Sequence, residues 1–195
     1  NAEARRVSIY SKPSPLAVMG FYALGDARTS SWTDLFGKVY PERSQGNTDI
    51  VHELAFGWYT MNQQGQLLTQ SDSGWQRPDG WEDILQAAAS FQLKTQMCVQ
   101  MTDQNARIRN MMNDPAARQL AIQAIVAEAD QYNGVNLDFE GLGWHDTPGE
   151  LSKVRADFTS FVTDLADSLH VKGKQLALCL HPLNSEYPGY DYQAL

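Results

Sequence analysis

The chain has 195 residues, 43% of them apolar, enough for one domain with a sizeable core. A net charge of −8 and a pI of about 4.9, with no cluster of Lys and Arg, exclude a surface built to bind nucleic acid. The mean hydropathy of −0.42 and the short apolar runs exclude a membrane span, so neither nucleic acid nor membrane is expected as a partner.

The opening residues, Asn1 to Arg6, are polar and show no secretory signal. The first residue is not Met, so a leader or a longer N-terminus could already be gone and secretion stays open. Cys98 and Cys179 are the only cysteines, both in apolar strand-like segments. They read as core residues rather than a disulfide framework. The four histidines (His52, His145, His170 and His181) lack metal-ligand spacing, and no metal or cofactor is expected.

In chain order, Leu16 to Leu24 predicts a first strand and Ile50 to Met61 a second, rich in β-branched and aromatic residues. A turn follows at Asn62 to Gly65. Asp79 is the expected N-cap of a helix, with Glu82 three residues on and Ile84, Leu85 and Ala88 on one face. Lys94 to Met101 predicts the third strand. Asp114-Pro115 opens a second helix through Leu120, Ala121, Ala124, Ile125 and Glu128, with Pro in its first turn. Gly134 to Glu140 is the fourth strand. Thr147-Pro148-Gly149-Glu150 is a capping box, and the helix behind it aligns Leu151, Val154, Phe158, Phe161, Val162, Leu165 and Leu169 in one stripe, ending at Gly173. Gln175 to His181 is the fifth strand, and Tyr190 to Leu195 reads as the approach to a further helix.

Strand followed by helix, repeated, predicts a parallel sheet with helical crossovers, and no linker divides residues 1–195, which read as a single catalytic-type domain. The fourth strand separates an open doubly wound sheet from a closed barrel. Val135, Leu137 and Phe139 alternate with Asn136, Asp138 and Glu140, so three polar side chains share one face. A helix layer could not cover two carboxylates and an amide without leaving buried charge unpaired. A barrel lumen opening at its C-terminal mouth can hold them. The expected fold is therefore a (β/α)8 TIM-barrel type.

Cleaving a glycosidic bond takes an acid for the leaving oxygen and a group that stabilises an oxocarbenium-like centre. Asp138 and Glu140, same-face neighbours about 6.5–7 Å apart along the strand, fit that pair and could hydrogen-bond to each other. A neighbouring carboxylate and partial burial are expected to raise the pKa of Glu140 and keep it protonated as the acid.

Asn133-Gly-Val-Asn-Leu-Asp-Phe-Glu140 resembles the fourth-strand motif of glycoside hydrolase family 18, Asp-Gly-x-Asp-x-Asp-x-Glu. It is most similar to the branch of spore-cortex-lytic and chitinase-like proteins. Met19-Gly-Phe-Tyr22, Trp58-Tyr-Thr-Met-Asn62 followed by Gly65, and Tyr190-Asp-Tyr-Gln-Ala-Leu195 extend the resemblance along the chain from about Leu16. It implies a retaining, substrate-assisted mechanism in which the substrate's own 2-acetamido oxygen attacks the anomeric carbon. Glu140 would be general acid and then base, and Asp138 would hold the acetamido N–H. The implied partner is a chitin-like or peptidoglycan-like polymer of N-acetylhexosamine. The implied setting is extracellular, cell-wall or spore associated.

Two motif positions depart from the family. Asn133 stands at the first Asp, a strand-entry detail, and Asn136 stands beneath Asp138, where an amide cannot share a proton. Asp138 is therefore expected to ionise more readily than it would beside a second Asp.

Tyr22, Trp58, Tyr59 and Trp144 are candidates to line sugar subsites, the first three equally readable as core aromatics. His145 shares the loop of Trp144, and His181 reads as structural. Asp26 to Arg28 has no assignable role. A complete barrel has eight strands in about 250 residues, and only about the first five β/α units are read here. The chain is expected to be the N-terminal part of such a barrel, the rest coming from a longer protein or by association with a chain carrying the missing half. Three functions stay open: a glycoside hydrolase, a carbohydrate-binding pseudoenzyme, and a metal-dependent barrel hydrolase, the last disfavoured by the lack of His beside the carboxylates.

Overall fold

The computed structural model describes residues 16–22, 30–70, 76–182 and 185–195. Five parallel strands run in the order β1 (Met19–Tyr22), β2 (Glu53–Met61), β4 (Lys94–Thr102), β5 (Gly134–Glu140) and β6 (Gln175–Leu178). A two-residue strand β3 (Leu67–Leu68) folds back antiparallel on β2. Every parallel strand lies beside its predecessor, without the reversal of order that marks a doubly wound sheet. That monotonic order is a sector of a barrel. β5 has its predicted bounds and β4 runs one residue past its predicted end at Met101, while β1, β2 and β6 are shorter than predicted. β1 starts at Met19, its predicted last residues Ala23 and Leu24 lie outside the described segments, and β2 starts at Glu53. Beyond β6, Cys179 N–H still donates to Leu137 O at 2.9 Å.

The helices are α1 (Ser30–Phe36), α2 (Trp81–Ser90), α3 (Arg107–Asn113), α4 (Pro115–Glu128) and α5 (Pro148–Val171). Asp114 caps α4 as its sequence requires, its carboxylate accepting from Ala116 N–H at 2.9 Å and Ala117 N–H at 3.3 Å. At α5 the Glu150 carboxylate accepts from both the backbone N–H and the hydroxyl of Thr147. The N-cap of α2 differs from expectation. It is Gly80, left-handed at φ 75°, a backbone conformation that glycine adopts without strain, rather than Asp79; Trp81, the first residue of the helix, lies under the Arg77 guanidinium.

Six of the seven residues in the α5 stripe land on the sheet as their spacing predicts: Val154, Phe158, Phe161, Val162, Leu165 and Leu169 are buried, and Leu151 in the first turn is only half-buried. Phe161 stacks on Phe139 of β5 with ring centroids 5.8 Å apart. Val135, Leu137 and Phe139 therefore face the helices, and Asn136, Asp138 and Glu140 face the other way. In register with them on β4 are Cys98, Gln100 and Thr102. The turn after β2 is tight. Gly65 has φ 75°, and a Cβ there would sit 2.0 Å from Ala117 O of α4. The closing segment turns at Asp191, whose carboxylate accepts from Gln193 and Ala194 N–H.

Candidate active site

Asn136 is buried within the polar face of β5, its Oδ1 accepting from Cys179 Sγ at 3.2 Å and its Nδ2 lying 3.8 Å from Met19 Sδ. Cys98 is fully buried and Cys179 only half-buried, so the second thiol is a lining group rather than the core residue expected. Neither Asn136 contact reaches Asp138. Among the described residues neither Asp138 nor Glu140 has a side-chain hydrogen bond, so the bond expected between them is not formed. Their coupling is through space. Burial first, and the Glu140 charge second, push Asp138 up to about 6.

The sign of that shift gives a stability test. A carboxyl raised from 3.8 to about 6 favours the folded state when protonated, so its contribution is present at low pH and lost as pH rises through about 6. Asp138→Asn is expected to stabilise the fold by about 1–2 kcal/mol at pH 7.5, discounted for partial exposure, and by nothing at pH 4. Urea melts at the two pH values measure this, and an equal effect at both would contradict it.

Glu140 ends β5 and lines a cavity of about 400 Å³ with Thr102, Gln104, Trp144, His145, His181 and Tyr187. Trp144 is 60% exposed, stacks on His145 at 4.9 Å and meets Tyr187 edge-on at 5.7 Å. Tyr187 in turn stacks on His181 at 3.9 Å. The wall opposite the strand ends is thus a run of aromatic faces, the surface that suits the apolar face of a sugar ring.

The other aromatic candidates lie elsewhere. Tyr22, Trp58 and Tyr59 are at most 1% exposed and sit on the side of the sheet that the helices cover. Tyr22 pairs in register with Phe56, itself beside Met97, and these residues point away from the polar face. The β2–β4 register slips between Phe56 and Tyr59, and Trp58 packs on Phe56 at 4.4 Å and on Trp81 of α2 at 6.4 Å. Tyr59 donates to Glu128 of α4 at 2.7 Å and shares a hydrogen bond with Tyr132 at 2.8 Å; burial pushes its hydroxyl up to about 12. These three rings are core and clamp, and Trp144 is the candidate that reaches the cavity.

Sequence reasoning passed over the scaffold of the rim. Asp103, just after β4, accepts from Ile108 N–H at 2.9 Å and from Arg109 Nε at 2.9 Å, and its own N–H donates to Glu140 O at 2.8 Å. Arg109 also pairs with Asp146 beyond β5, whose side chain is wholly buried. Burial raises Asp103 even against the Arg109 charge. Tyr190 Oη donates to Phe139 O at 2.8 Å and receives Leu142 N–H at 3.4 Å, while Gly189 N–H donates to Leu142 O at 3.1 Å. A Cβ on Gly189 would lie 2.4 Å from the Leu142 carbonyl carbon, which explains the glycine.

No protein-family model and no curated protein matches the chain. Solved structures do. The C-terminal domain of a chitinase-designated protein from Desulfitobacterium hafniense superposes with a TM-score of 0.71 at 21% identity, over 91% of this chain and 51% of that one. A class V chitinase from Pseudomonas fluorescens gives 0.60 at 26% identity, over 74% and 43%. The spore cortex-lytic enzyme of Bacillus megaterium gives 0.65 at 15% identity, over 93% and 41%. The fold is that of the glycoside hydrolase 18-type enzymes. The chain spans about half the length of the structures it matches, as a partial TIM barrel does. In this fold the C-terminal ends of the strands form the mouth of the barrel, the end at which Glu140 and its cavity lie.

Proposed function

We propose that the chain is the N-terminal part of a glycoside hydrolase that cleaves β-linked N-acetylhexosamine polymers, chitin-like or peptidoglycan-like, by a retaining, substrate-assisted mechanism. The observation that carries it is Glu140 at the cavity mouth, with Asp138 one strand period below and the exposed ring of Trp144 across from it. Glu140 gives its proton to the glycosidic oxygen as the C1–O bond breaks. The substrate's acetamido oxygen closes on C1, forming an oxazolinium-like ring. Asp138, ionised, accepts the acetamido N–H and stabilises that positive charge. Glu140, now a carboxylate, takes a proton from water as the water attacks C1 and the C1–O bond to the acetamido oxygen breaks, which restores the neutral acetamide and returns the β anomer.

The test is turnover of N-acetylglucosamine oligomers by the full-length protein, followed by proton NMR. A β product formed in the presence of chelator is expected; an α product would defeat the mechanism. Binding without turnover would make the protein a carbohydrate-binding pseudoenzyme.

The ionised Asp138 sets a pH dependence. The rate should fall as pH drops through about 6, where Asp138 takes up a proton. Asn136→Asp would set a second carboxylate beneath it, and the acidic limb should move up by roughly one unit as the pair titrates together. Superimposable profiles for the two proteins would remove that role from Asp138.

A further inference from the structure

We propose that the cleft at the C-terminal ends of β2 and β4 is a glycan subsite continuous with the Glu140 cavity, and that it takes an acetamido sugar bearing a carboxylate, with Arg107 as the carboxylate's partner. Resting on the hydrolase reading above, it narrows the substrate class to an anionic N-acetylhexosamine polymer.

The cleft encloses about 570 Å³. Thr102 and Gln104 line both it and the Glu140 cavity, so the two form one trough across the strand ends. Gln100, opposite Asp138 in the β4–β5 register, is at the junction. The chemistry of the lining is amide-rich, and the amides divide into two kinds. Asn62 is committed to its own turn, accepting from Gln64 and Gln66 N–H and donating to Gln66 Oε1. The side-chain amides of Gln64, Gln100 and Gln104 have no hydrogen-bond partner among the described residues. Each offers one acceptor and two donors, the complement of a sugar hydroxyl or an acetamido group.

Arg107 is the one cation lining the cleft among the described residues, and it has no ion pair there. Other arginines of the chain are engaged: Arg109 with Asp103 and Asp146, Arg77 with Glu128, Arg118 with Asp164. Between Gln104 and Arg107, Asn105 and Ala106 are both left-handed, at φ 57° and 60°. Two such non-glycine residues in a row are strained and persist only when their surroundings fix them. Asp103 does so, through its carboxylate on Ile108 and Arg109 N–H and its carbonyl on Ala106 N–H. The turn that presents the guanidinium is therefore held rather than free. A guanidinium matches a carboxylate through two parallel N–H donors. In a chain of net charge −8, with Asp138 and Glu140 a strand away, this exposed guanidinium is the one group lining the cleft among the described residues that would draw an anionic substituent on a bound glycan.

The experiment is calorimetric binding to full-length Glu140→Gln protein, with and without Arg107→Gln. The probes are a tetrasaccharide of alternating N-acetylglucosamine and N-acetylmuramic acid, its lactyl methyl ester, chitotetraose, and the free stem peptide. The acid is expected to bind about tenfold more tightly than the ester, with a gap that shrinks at high salt and vanishes in Arg107→Gln. Equal affinities for acid and ester, equal weakening of both by Arg107→Gln, or no binding of any glycan would overturn the subsite. So would the stem peptide binding as tightly as the acid glycan. Turnover of chitotetraose without acid preference sinks the subsite and leaves the hydrolase reading standing; acid preference without turnover by the wild type does the reverse.

Discussion

Glu140→Gln is expected to lower turnover of N-acetylglucosamine oligomers by about 10²–10⁴-fold, the usual contribution of a general acid–base group. The effect should fall on kcat rather than KM, because glutamine keeps the size of the side chain and loses only its transferable proton. Stability should change little. Glu140 is partly exposed and its side chain holds no hydrogen bond among the described residues, so its removal leaves no partner stranded. Initial rates on oligomers and on peptidoglycan, beside a thermal melt, separate the two effects. Equal turnover by both proteins would take Glu140 out of the mechanism.

Arg109→Leu should cost about 3–5 kcal/mol, a large part of a total stability of about 5–15 kcal/mol. The guanidinium stands between two carboxylates from different loops, and both of those side chains are almost entirely buried. Asp146 already leaves one oxygen without a partner among the described residues. Without the cation, two negative charges would share a site shielded from water. The loss should shrink at low pH, where the Asp103 carboxyl, already raised by burial, takes up a proton, and Asp146→Asn in the Arg109→Leu background should recover part of it. Urea denaturation of the single and double variants measures each term, and a loss below about 1 kcal/mol would show that the pair is idle.

Where periodicity alone decides, the structure could be read from the residues. The alternation on β5 placed its carboxylates on one face, and the three-and-four spacing on α5 placed six side chains against the sheet. Asp114 and Pro115 marked the start of α4 through groups that act within one turn. What could not be read was set by contacts distant in sequence. The register slip in β2 leaves Trp58 against Phe56 and Trp81, and nothing local in the segment announces it. α3 escaped notice because it begins after two left-handed residues, neither of them glycine. The Asp103–Arg109–Asp146 network ties α3 to the loop after β5 across 37 residues, visible only once β4 and β5 lie side by side. The upward pKa shift resolved at Asp138 follows from burial, which a strand pattern orders but does not measure. Asp26 to Arg28 lie outside the described residues.

Tyr190 fastens the loop that follows β5, and its partner Phe139 lies 51 residues earlier. During synthesis β5 and its carboxylates leave the ribosome well before the residue that holds their loop in place. At about 5–20 residues per second, that interval lasts on the order of several seconds. Throughout it α5 can dock on the sheet, while Leu142 and Gly143 lack the Pro188–Tyr190 strap that sets their path. The loop that borders the Glu140 cavity is therefore a late part of the fold to take shape, and a nascent chain stalled before Pro188 would carry a folded sheet with an unformed rim.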